Sequence, residues 1–505
     1  MSKPMKGTWA CALLLMAKSS FGQSDTLAGH YAKGITEAEL KTHLEVLASD
    51  AYQGRDTGRE GQKMAAKYLK EQFIAMGVPP VPAPFSEKLV GGYFQEYGLI
   101  EERTGNLTIE KADRKLGSLT GLVYFNEVLS GERKVEEVIW VSDNVNTLSA
   151  DQLKDRVVIV DAAKWGAGES LFVEMRRRLD RIRAAGAAVI LVSVPDLVSI
   201  EQLVHRGGSR MKLAYEAEKP TTGTGQAIMM SPTSMQDLLG GVKVKRLRRK
   251  HTGHVVQCDF TIKCPSNGNH LTAENVLAFI EGTDKKDEVV VITAHYDHIG
   301  IEDGVVYNGA DDDGSGTVAL LEIAEALVAA KADGHGPRRS VLVMPVSGEE
   351  KGLLGSKYYS DHPVFDLANT VADVNIDMIG RVDSSHAGKT PYVYVIGSNR
   401  LSSGLHRANE QANAAAGLDL DYTFNAESDP NRFYYRSDHY NFARKGVPSI
   451  FYFSGVHEDY HRPGDDVEKI RFDLLKQRAL LAFHTVWILA NEEERIKVDV
   501  PGAGN

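Results

Sequence analysis

Cysteine is scarce in this sequence, with three residues among 505. Three are too few for a fold that disulfides hold together. Cys11 falls near the start of the chain, which leaves Cys258 and Cys264, and the stretch between them has no turn-forming residue. An extended chain would separate these two Cα atoms by roughly 20 Å, whereas a disulfide needs about 5.5 Å. We therefore predict two unpaired thiols.

Long apolar runs and an excess of positive charge are also missing. No stretch has the about 20 consecutive apolar residues of a membrane-spanning helix, so we expect no stable membrane insertion. Lys and Arg number 58 against 68 for Asp and Glu, a net charge of −10. Without an overall positive field, the chain is not expected to bind nucleic acid. A Gly-x-Ser-x-Gly pentapeptide is absent as well, which disfavours a serine hydrolase.

What is present is an ordinary globular composition. Hydrophobic residues make up 43% and charged residues 25% of the chain. These proportions exclude a disordered, collagen-like or coiled-coil protein. At about 150 residues per domain, the length predicts roughly three structural units.

The first residues have the pattern of a secretory signal. Lys3 and Lys6 precede a short apolar run at 9–17, and small residues follow it. We predict a signal peptide over residues 1–22 and a secreted or periplasmic protein. A cytoplasmic start is the alternative, because Lys18 lies close to the expected cut.

The amino-acid pattern in the middle of the chain differs from that of the rest. Between about 122 and 256, short β-rich runs alternate with a helix near 172–185, and few polar groups converge. We predict an inserted domain at 125–255 that divides a catalytic domain into residues 23–124 and 256–495. A basic run near the end of the insert is interpreted as a solvated face, with an anionic partner as the alternative.

The part of the chain after about residue 275 alternates strands with helices. This pattern predicts an α/β fold with a mixed, mostly parallel sheet flanked by helices. Strands are predicted at 288–294, 340–346, 371–376, 392–396 and 448–453, and helices at 35–48, 60–76 and 318–330.

Acidic residues and histidines follow these strands. They are His295 to His298, Asp311 to Asp313, Glu349 with Glu350, Asp377, and His457 to His461. Ligands of open α/β sheets bind at the carboxyl ends of the strands, so these loops are expected to meet at one edge. Imidazole nitrogen and carboxylate oxygen are the ligands that zinc takes. The sequence therefore predicts a zinc site at this edge.

Here the sequence resembles the M28 family of zinc-dependent metallopeptidases, and specifically the members with an inserted protease-associated (PA) domain. The matching motifs are His295-x-Asp297, Asp312-Asp313-Gly314-Ser315-Gly316, Glu349 to Ser356, Asn375-x-Asp377 and Tyr460-His461. The resemblance implies two Zn²⁺ ions per chain. The family's ligand order then falls on His295, Asp312, Glu350, Asp377 and His461.

By this resemblance Asp312 bridges the two zinc ions. In the family, the bridging residue is followed by one residue, then by Gly or another small residue, then by Ser or Ala, and then by Gly. Asp312 matches this pattern, because Asp313, Gly314, Ser315 and Gly316 follow it. Asp311 and Asp313 are the alternatives. The resemblance also implies a cis peptide bond between Asp312 and Asp313. Each zinc ion would take one histidine and one further carboxylate.

The neighbouring residues receive roles from the same resemblance. Glu349 is the general base and acid, taking a proton from the attacking water and giving it to the leaving amine. Tyr460 donates a hydrogen bond to the developing oxyanion, or is an aromatic lid residue. Asp297 orients the ring of His295 and raises its basicity. His298 and His439 are expected near the site without binding metal.

The resemblance implies a two-zinc exopeptidase that acts on the free amino end of peptides or proteins. A carboxypeptidase or dipeptidase of the same family is one alternative, and it would need a cation for a free carboxylate; Arg432, Arg436 and Arg462 are the candidates. A one-metal glutaminyl cyclase is another, which the complete ligand set disfavours. A non-catalytic receptor-like module is the third, and it predicts damaged ligands.

Overall fold

The computed structural model describes residues 26–102, 107–112, 114–117, 121–124, 131–142, 153–166, 169–198, 200, 210–217, 225–264 and 269–500. The predicted signal peptide at 1–22, with Cys11, lies outside the described residues. The described chain forms two compact units. One comprises Met1–Tyr97 with Thr272–Asn505, and the other comprises Gly98–Leu271. The predicted insert at 125–255 lies inside the second unit, and its identity as a PA-like domain stays a prediction.

Strands and helices alternate along the chain. The strands are β1 (Phe94–Glu102), β2 (Thr108–Lys111), β3 (Arg114–Gly117), β4 (Leu122–Val123), β5 (Gly131–Trp140), β6 (Val157–Asp161), β7 (Val189–Ser193), β8 (Arg210–Leu213), β9 (Gln226–Met230), β10 (Val255–Cys264), β11 (Asn269–Val276), β12 (Ala278–Ile280), β13 (Lys285–His295), β14 (Gly300–Glu302), β15 (Val305–Tyr307), β16 (Arg339–Val346), β17 (Thr370–Ile376), β18 (Tyr392–Ile396), β19 (Asp419–Asp421) and β20 (Ser449–Phe453). The α-helices are α1 (Glu37–Leu47), α2 (Glu60–Ala75), α3 (Glu169–Ala184), α4 (Ala214–Ala217), α5 (Pro232–Leu238), α6 (Val244–Leu247), α7 (Gly316–Ala332), α8 (Leu354–Asp361), α9 (Ser403–Ala416), α10 (His439–Ala443) and α11 (Phe472–Asn491).

The first unit is built on a seven-stranded sheet of order β12-β16-β13-β17-β20-β18-β19. Strands β16, β13, β17 and β20 run parallel, and β18 and β19 are parallel to each other. The pairings β12–β16 and β18–β20 are antiparallel. The fold is therefore the predicted mixed α/β class.

The register of the parallel strands aligns their carboxyl ends. His295 of β13 lies opposite Val346 of β16. In the same way, Ile376 of β17 lies opposite Tyr452 of β20. The loops that follow these four strands therefore leave the sheet at one edge, as expected from the sequence.

Helices cover both faces of this sheet, because its central strands are apolar on both sides. Helices α1, α2, α7, α9 and α11 contribute to one buried apolar cluster with the sheet, and residues of α8 and α10 to another on the other face. One face of α7 is fully buried, with Val318, Leu321, Ala324 and Leu327 at 0% exposure. The core of the unit thus holds the strand ends in fixed positions.

Helix α1 begins at a capped turn. Thr36 Oγ1 accepts a hydrogen bond from the N–H of Glu39 at 3.2 Å, which is one half of the predicted capping box. The N–H of Thr36 donates to Glu322 of α7 rather than to Glu39. A buried carboxylate of one helix therefore completes the cap of another.

The second unit contains an eight-stranded sheet of order β3-β2-β10-β5-β6-β7-β9-β4. Strands β5, β6, β7 and β9 are parallel neighbours, and the outer pairings are antiparallel. Separate apolar clusters include alternate residues of these strands, as expected for a sheet buried on both faces. The basic side chains at 243–250 are exposed, in keeping with a solvated face.

Two predictions from the sequence concern disulfide bonds and membrane-spanning helices. Among the described residues, neither Cys258 nor Cys264 forms a disulfide bond, as predicted. Within the part of the chain that the structure describes, no helix combines the length and the apolar character needed to cross a bilayer. The three-stranded sheet β11-β1-β8 and the two-stranded sheet β14-β15 complete the topology of the described chain.

Candidate metal centre

The loops at the sheet edge bring together all five residues that the sequence predicts as metal ligands. His295 ends β13, Glu350 follows β16, Asp377 follows β17, His461 lies beyond β20, and Asp312 lies in a π-helical turn at Ala310–Ser315 before α7. Four of them are at least nine-tenths buried, and only His461 is exposed, at 42% of its side chain. The positions of these residues are thus set by four strands and one helix start.

The first group of ligand atoms is centred on His295. Its Nε2 lies 3.3 Å from Asp312 Oδ1 and 3.7 Å from Asp377 Oδ1. The ligand atoms of these three buried residues all lie within 4.8 Å of one another. One imidazole and two carboxylates at this spacing can hold a divalent cation.

The second group lies on the other oxygen of Asp312. His461 Nε2 is 3.2 Å from Asp312 Oδ2 and 3.2 Å from Glu350 Oε2. His298 Nδ1 is also close, at 2.8 Å from Glu350 Oε1 and 3.8 Å from Asp312 Oδ2. His298, Asp312 and Glu350 meet the same 4.8 Å criterion as the first group. The structure therefore places two imidazoles beside this second position, whereas the sequence predicted one.

Asp312 faces both groups, and its two acidic neighbours do not. Asp311 Oδ1 accepts the N–H of Gly380 at 2.6 Å. Asp313 Oδ1 accepts the N–H groups of Gly316 at 2.9 Å and Met378 at 2.8 Å. Only the middle carboxylate of the three directs one oxygen to each group. The peptide bond between Asp312 and Asp313 is cis, as the family resemblance implied.

The protonation states of these residues are compatible with the binding of a cation. Burial raises the pKa of Asp312, but the neighbouring imidazoles of His295 and His461 outweigh it and hold this pKa well below its usual range. Burial lowers the pKa of His461, but Asp312 and Glu350 raise it to about 10. Without a cation, Asp312 is therefore charged and His461 holds a proton. A bound cation would take the place of that proton, because a ligating histidine is neutral.

Unsatisfied buried atoms also show that the residues fit a cation. Among the described residues, Asp312 Oδ2, Glu350 Oε1 and both ring nitrogens of His298 are buried and make no contact with the geometry of a hydrogen bond, although His298 Nδ1 lies 2.8 Å from Glu350 Oε1 and His461 Nε2 lies 3.2 Å from Asp312 Oδ2. Buried polar atoms are normally paired, so these need an explanation. A divalent cation gives one, since nitrogen and carboxylate oxygen are its ligands.

Glu349 lies at the same edge, beside His295. Its Oε2 is 4.0 Å from His295 Nε2, and its N–H donates to Asp297 Oδ1 at 3.2 Å. Burial raises the pKa of Glu349 well above its usual range, despite the opposing charge of His295. A carboxylate with a raised pKa is a better proton acceptor than an ordinary glutamate.

Asp297 contacts the ring of His295 through its main chain. His295 Nδ1 lies 3.0 Å from the main-chain oxygen of Asp297 and 3.8 Å from its carboxylate. The Asp297 carboxylate instead accepts from Thr57 Oγ1 at 2.6 Å and from the N–H of Glu349. Asp297 therefore orients the ring through its backbone and uses its side chain to hold the loop of Glu349.

Three residues that hold the ligands in place were not found from the sequence. Ser437 Oγ donates to Asp377 Oδ2 at 2.6 Å. Asp465 accepts the N–H of Asp312 at 3.0 Å. The third is Arg55. Ser437 lies in the sequence Ser437-Asp438-His439, next to the histidine expected near the site, whereas the partner of Asp465 is a main-chain group that no side-chain pattern reveals.

Arg55 is a fully buried cation that ties together two loops of the site. Its guanidinium donates to the main-chain oxygens of Tyr296 and Leu47 at 2.7 Å each. It also donates to those of Asn308 at 2.7 Å and Gly309 at 2.8 Å. Tyr296 directly follows His295, and Gly309 precedes the turn that carries Asp312. Arg55 therefore fixes the spacing between these two ligand segments.

The ligand residues line a cavity that has an apolar wall on one side. Its lining includes His295, Asp312, Glu349, Asp377, His461, Tyr460 and Arg436, with Met378, Phe433, Phe451, Phe453 and Val456 as the apolar part. Tyr460 stacks on His461 with ring centroids 3.8 Å apart. His439 stacks behind the wall on Phe451. The cavity thus offers a polar floor next to an apolar pocket.

The arginines named from the sequence occupy different places. Arg436 lines the cavity. Arg432 is exposed, with its guanidinium over the ring of Tyr435 at 4.8 Å. Arg462 is exposed beside His461. Of the three, Arg436 alone is part of the described lining.

Comparison with known proteins agrees with this geometry. Residues 275–486, which contain all five predicted ligands, match the sequence profile of peptidase family M28. This segment is an M28 peptidase domain. The M28 match starts within β11 and ends in α11, so it spans the seven-stranded sheet of the first unit.

Two relatives of the chain carry descriptive names. Aminopeptidase YwaD of Bacillus subtilis is 28% identical over 324 residues, which cover 62% of this chain and 65% of that protein. A probable zinc metalloprotease of Pyrenophora teres f. teres is 27% identical over 261 residues, covering 44% of this chain and 52% of that protein. The chain thus spans between half and two thirds of the length of these relatives.

A solved structure shares the fold of the chain. The aminopeptidase from Aneurinibacillus sp. strain AM-1 covers 95% of this chain and 100% of its own, with a TM-score of 0.53 and 16% sequence identity. At that identity the likeness concerns the fold alone.

Proposed function

We propose that the protein is a zinc-dependent aminopeptidase, which hydrolyses the peptide bond next to the free amino end of a peptide or protein. The observation that carries this proposal is the position of Asp312, whose two oxygens face two separate groups of histidine and carboxylate ligands. The names of the relatives, an aminopeptidase and a zinc metalloprotease, support the same activity and the same metal.

We propose two zinc ions per chain, held by side chains that are already close together. His295, Asp312 and Asp377 would hold one ion, and Asp312, Glu350 and His461 would hold the other. This mixture of imidazole and carboxylate suits zinc better than magnesium or calcium, which prefer oxygen ligands alone. When bound, such ions polarise a carbonyl group and lower the pKa of water from 15.7 to about 7.

Glu349 is proposed to move the proton of the reaction. Its carboxylate takes a proton from the attacking water and later gives it to the amine that leaves. The raised pKa of this buried side chain suits the acceptor role, because a stronger base takes the proton more readily. Asp297 supports this role by accepting the N–H of Glu349, which fixes the position of the carboxylate.

Tyr460 is proposed to donate a hydrogen bond to the carbonyl oxygen of the bond that is cleaved. It lines the same cavity as Glu349 and stacks on His461, so its ring is held beside the ligands. A donor placed where negative charge develops lowers the barrier of acyl transfer. The apolar wall with Phe433, Phe451 and Phe453 would receive an apolar side chain of the terminal residue.

The decisive experiment compares one peptide with a free amino end and the same peptide with that amine acetylated. The purified protein is loaded with zinc, and the products are identified by mass spectrometry. We expect release of the first residue from the free peptide, little cleavage of the acetylated one, and loss of activity with a chelator. Release of the last residue from both would instead establish the carboxypeptidase alternative, for which Arg436 in the cavity is the supporting observation.

Two further proposals rest on sequence pattern alone. We propose that the chain is exported by a signal peptide at residues 1–22, and that residues 125–255 form a PA-like domain. Cell fractionation with N-terminal sequencing of the mature protein tests the first. An uncleaved protein in the cytoplasm would contradict it.

A further inference from the structure

Arg436 and Tyr460 form a hydrogen-bonded pair on the wall of the cavity. Arg436 Nη2 lies 3.3 Å from Tyr460 Oη. Both residues line the cavity together with the predicted metal ligands and Glu349. They come from different segments, since Arg436 precedes α10 and Tyr460 follows β20. Nothing in the sequence pattern links them.

The guanidinium of Arg436 is held from a second side. It lies over the ring of Phe433, 4.8 Å from the ring centre, which is a cation–π contact. The N–H of Arg436 also donates to the main-chain oxygen of Phe433 at 3.0 Å. Its neighbour Ser437 is fixed by the hydrogen bond to Asp377. These contacts therefore restrict the rotamers that the Arg436 side chain can adopt.

The direction of the hydrogen bond determines what Tyr460 can do. A guanidinium has donors only, so Tyr460 Oη must be the acceptor. The single proton of the phenol then points elsewhere, and the structure gives no acceptor for it among the described residues. A donor that faces a cavity without a partner is ready for an oxygen atom of the substrate.

We propose that Arg436 is a positioning residue for Tyr460. Its hydrogen bond holds the phenol oxygen in place and leaves the O–H directed toward the carbonyl oxygen of the substrate. Its positive charge makes the phenol a stronger hydrogen-bond donor. The inference rests on the proposed aminopeptidase function. It differs from the alternative in which Arg436 binds a free carboxylate of the substrate, because it requires no charge on the substrate.

The test is a double-mutant cycle of Arg436→Met and Tyr460→Phe, measured on two substrates that differ in charge. One is an aminoacyl p-nitroanilide, which has no carboxylate, and the other is a dipeptide with the same first residue. We expect Arg436→Met to lower kcat on the anilide about tenfold with KM within about twofold. In the Tyr460→Phe background the same substitution is expected to have no further effect on kcat.

Two more variants serve as controls. Arg432→Met removes a guanidinium that stacks on a tyrosine outside the described lining, and we expect kcat like that of the wild type. Arg436→Lys keeps a donor without the planar fork, and we expect it to recover part of the lost kcat. Zinc content and melting temperature of each variant show whether the fold and the centre are intact.

The outcomes are distinct. An equal loss of kcat from Arg436→Met with and without Tyr460 would overturn the inference. So would a loss confined to KM for the dipeptide, which would make Arg436 a carboxylate-binding residue. A wild-type protein that is inactive on both substrates with zinc bound would overturn the proposed function itself, and the inference with it.

Discussion

Asp465 and Asp312 are joined by a hydrogen bond in which the buried carboxylate of Asp465 accepts the backbone N–H of Asp312 at 3.0 Å. The same carboxylate accepts the N–H of Asp311 at 3.0 and 3.1 Å. The main-chain oxygen of Asp465 accepts the N–H of Ala310, also at 3.0 Å. Asp465 therefore holds three successive residues of the turn that carries the proposed bridging ligand, and it lies four positions after His461.

We predict that Asp465→Asn weakens zinc binding about 10- to 100-fold, the usual loss when a residue that orients metal ligands is changed. An asparagine has one acceptor oxygen, and its amide group would face N–H donors with donors of its own. Titration of the metal-free protein with zinc against a chromophoric chelator measures the affinity. Asp466→Asn is the matched control, because that neighbour contacts Asn308 instead. Equal zinc affinity of the Asp465 variant and the control would contradict the positioning role.

Glu349→Gln is predicted to separate chemistry from metal binding. The amide cannot take a proton from water, so we expect kcat to fall about 10²- to 10⁴-fold. Zinc content should stay at the wild-type value, because the role of Glu349 is proton transfer. The neighbouring substitution Glu350→Gln should instead lose zinc. Kinetics together with elemental analysis of both variants check this, and a Glu349 variant with wild-type kcat would remove that residue from the mechanism.

The two imidazoles beside Glu350 give a third prediction. His461 Nε2 lies 3.2 Å from both Asp312 and Glu350. His298 Nδ1 lies 2.8 Å from Glu350 but 3.8 Å from Asp312. We infer that His461 is the ligand and that His298 orients the Glu350 carboxylate. His461→Ala should therefore reduce the zinc content to one ion per chain, and His298→Ala should keep two. The reverse result would assign the ligand role to His298.

The strand ends could be predicted from the sequence because the central strands are continuous apolar runs that stop at polar residues. The predicted strand at 392–396 agrees with the structure to the residue, and the others differ by one to three residues at an end. The metal residues follow from these ends, since parallel strands with aligned register must place their next residues together. For Asp312, however, spacing did not decide among three adjacent acids, and the choice depended on the family motif.

What could not be predicted depends on main-chain partners and on long-range packing. Arg55 donates to carbonyl oxygens 241 to 254 positions further along the chain, and a carbonyl leaves no trace in the sequence. Asp297 contacts the ring of His295 through a main-chain oxygen, and no side-chain pattern reveals such a partner. The compact unit at Gly98–Leu271 starts inside β1, where no change of composition marks the passage from one unit to the other.

A last prediction concerns a buried carboxyl group away from the metal centre. Glu322 of α7 is 1% exposed and accepts the N–H of Thr36 at 3.2 Å. Burial raises its pKa to about 8, with added contributions from the charges of Glu39 and Glu325, against the opposing effect of the Thr36 hydrogen bond. His43 lies 3.8 Å away, and burial lowers its pKa, so it is neutral above pH 6.5 and does not compensate Glu322 there.

The direction in which pH changes the free energy of unfolding follows from which state, folded or unfolded, keeps the proton of Glu322. Between the ordinary pKa of about 4.3 and the folded value near 8, the unfolded chain has released the proton that folded Glu322 keeps, so rising pH favours unfolding. Glu322→Gln removes this penalty and can still accept from Thr36. We expect the variant to exceed the wild type in free energy of unfolding by about 4 kcal/mol at pH 8, and the gain to vanish below about pH 4. Chemical denaturation of both proteins across this range measures the difference, in which all other titrating groups cancel. A constant difference at every pH would show that Glu322 is ionised in the folded protein, and the cap of α1 would then contain a buried charge.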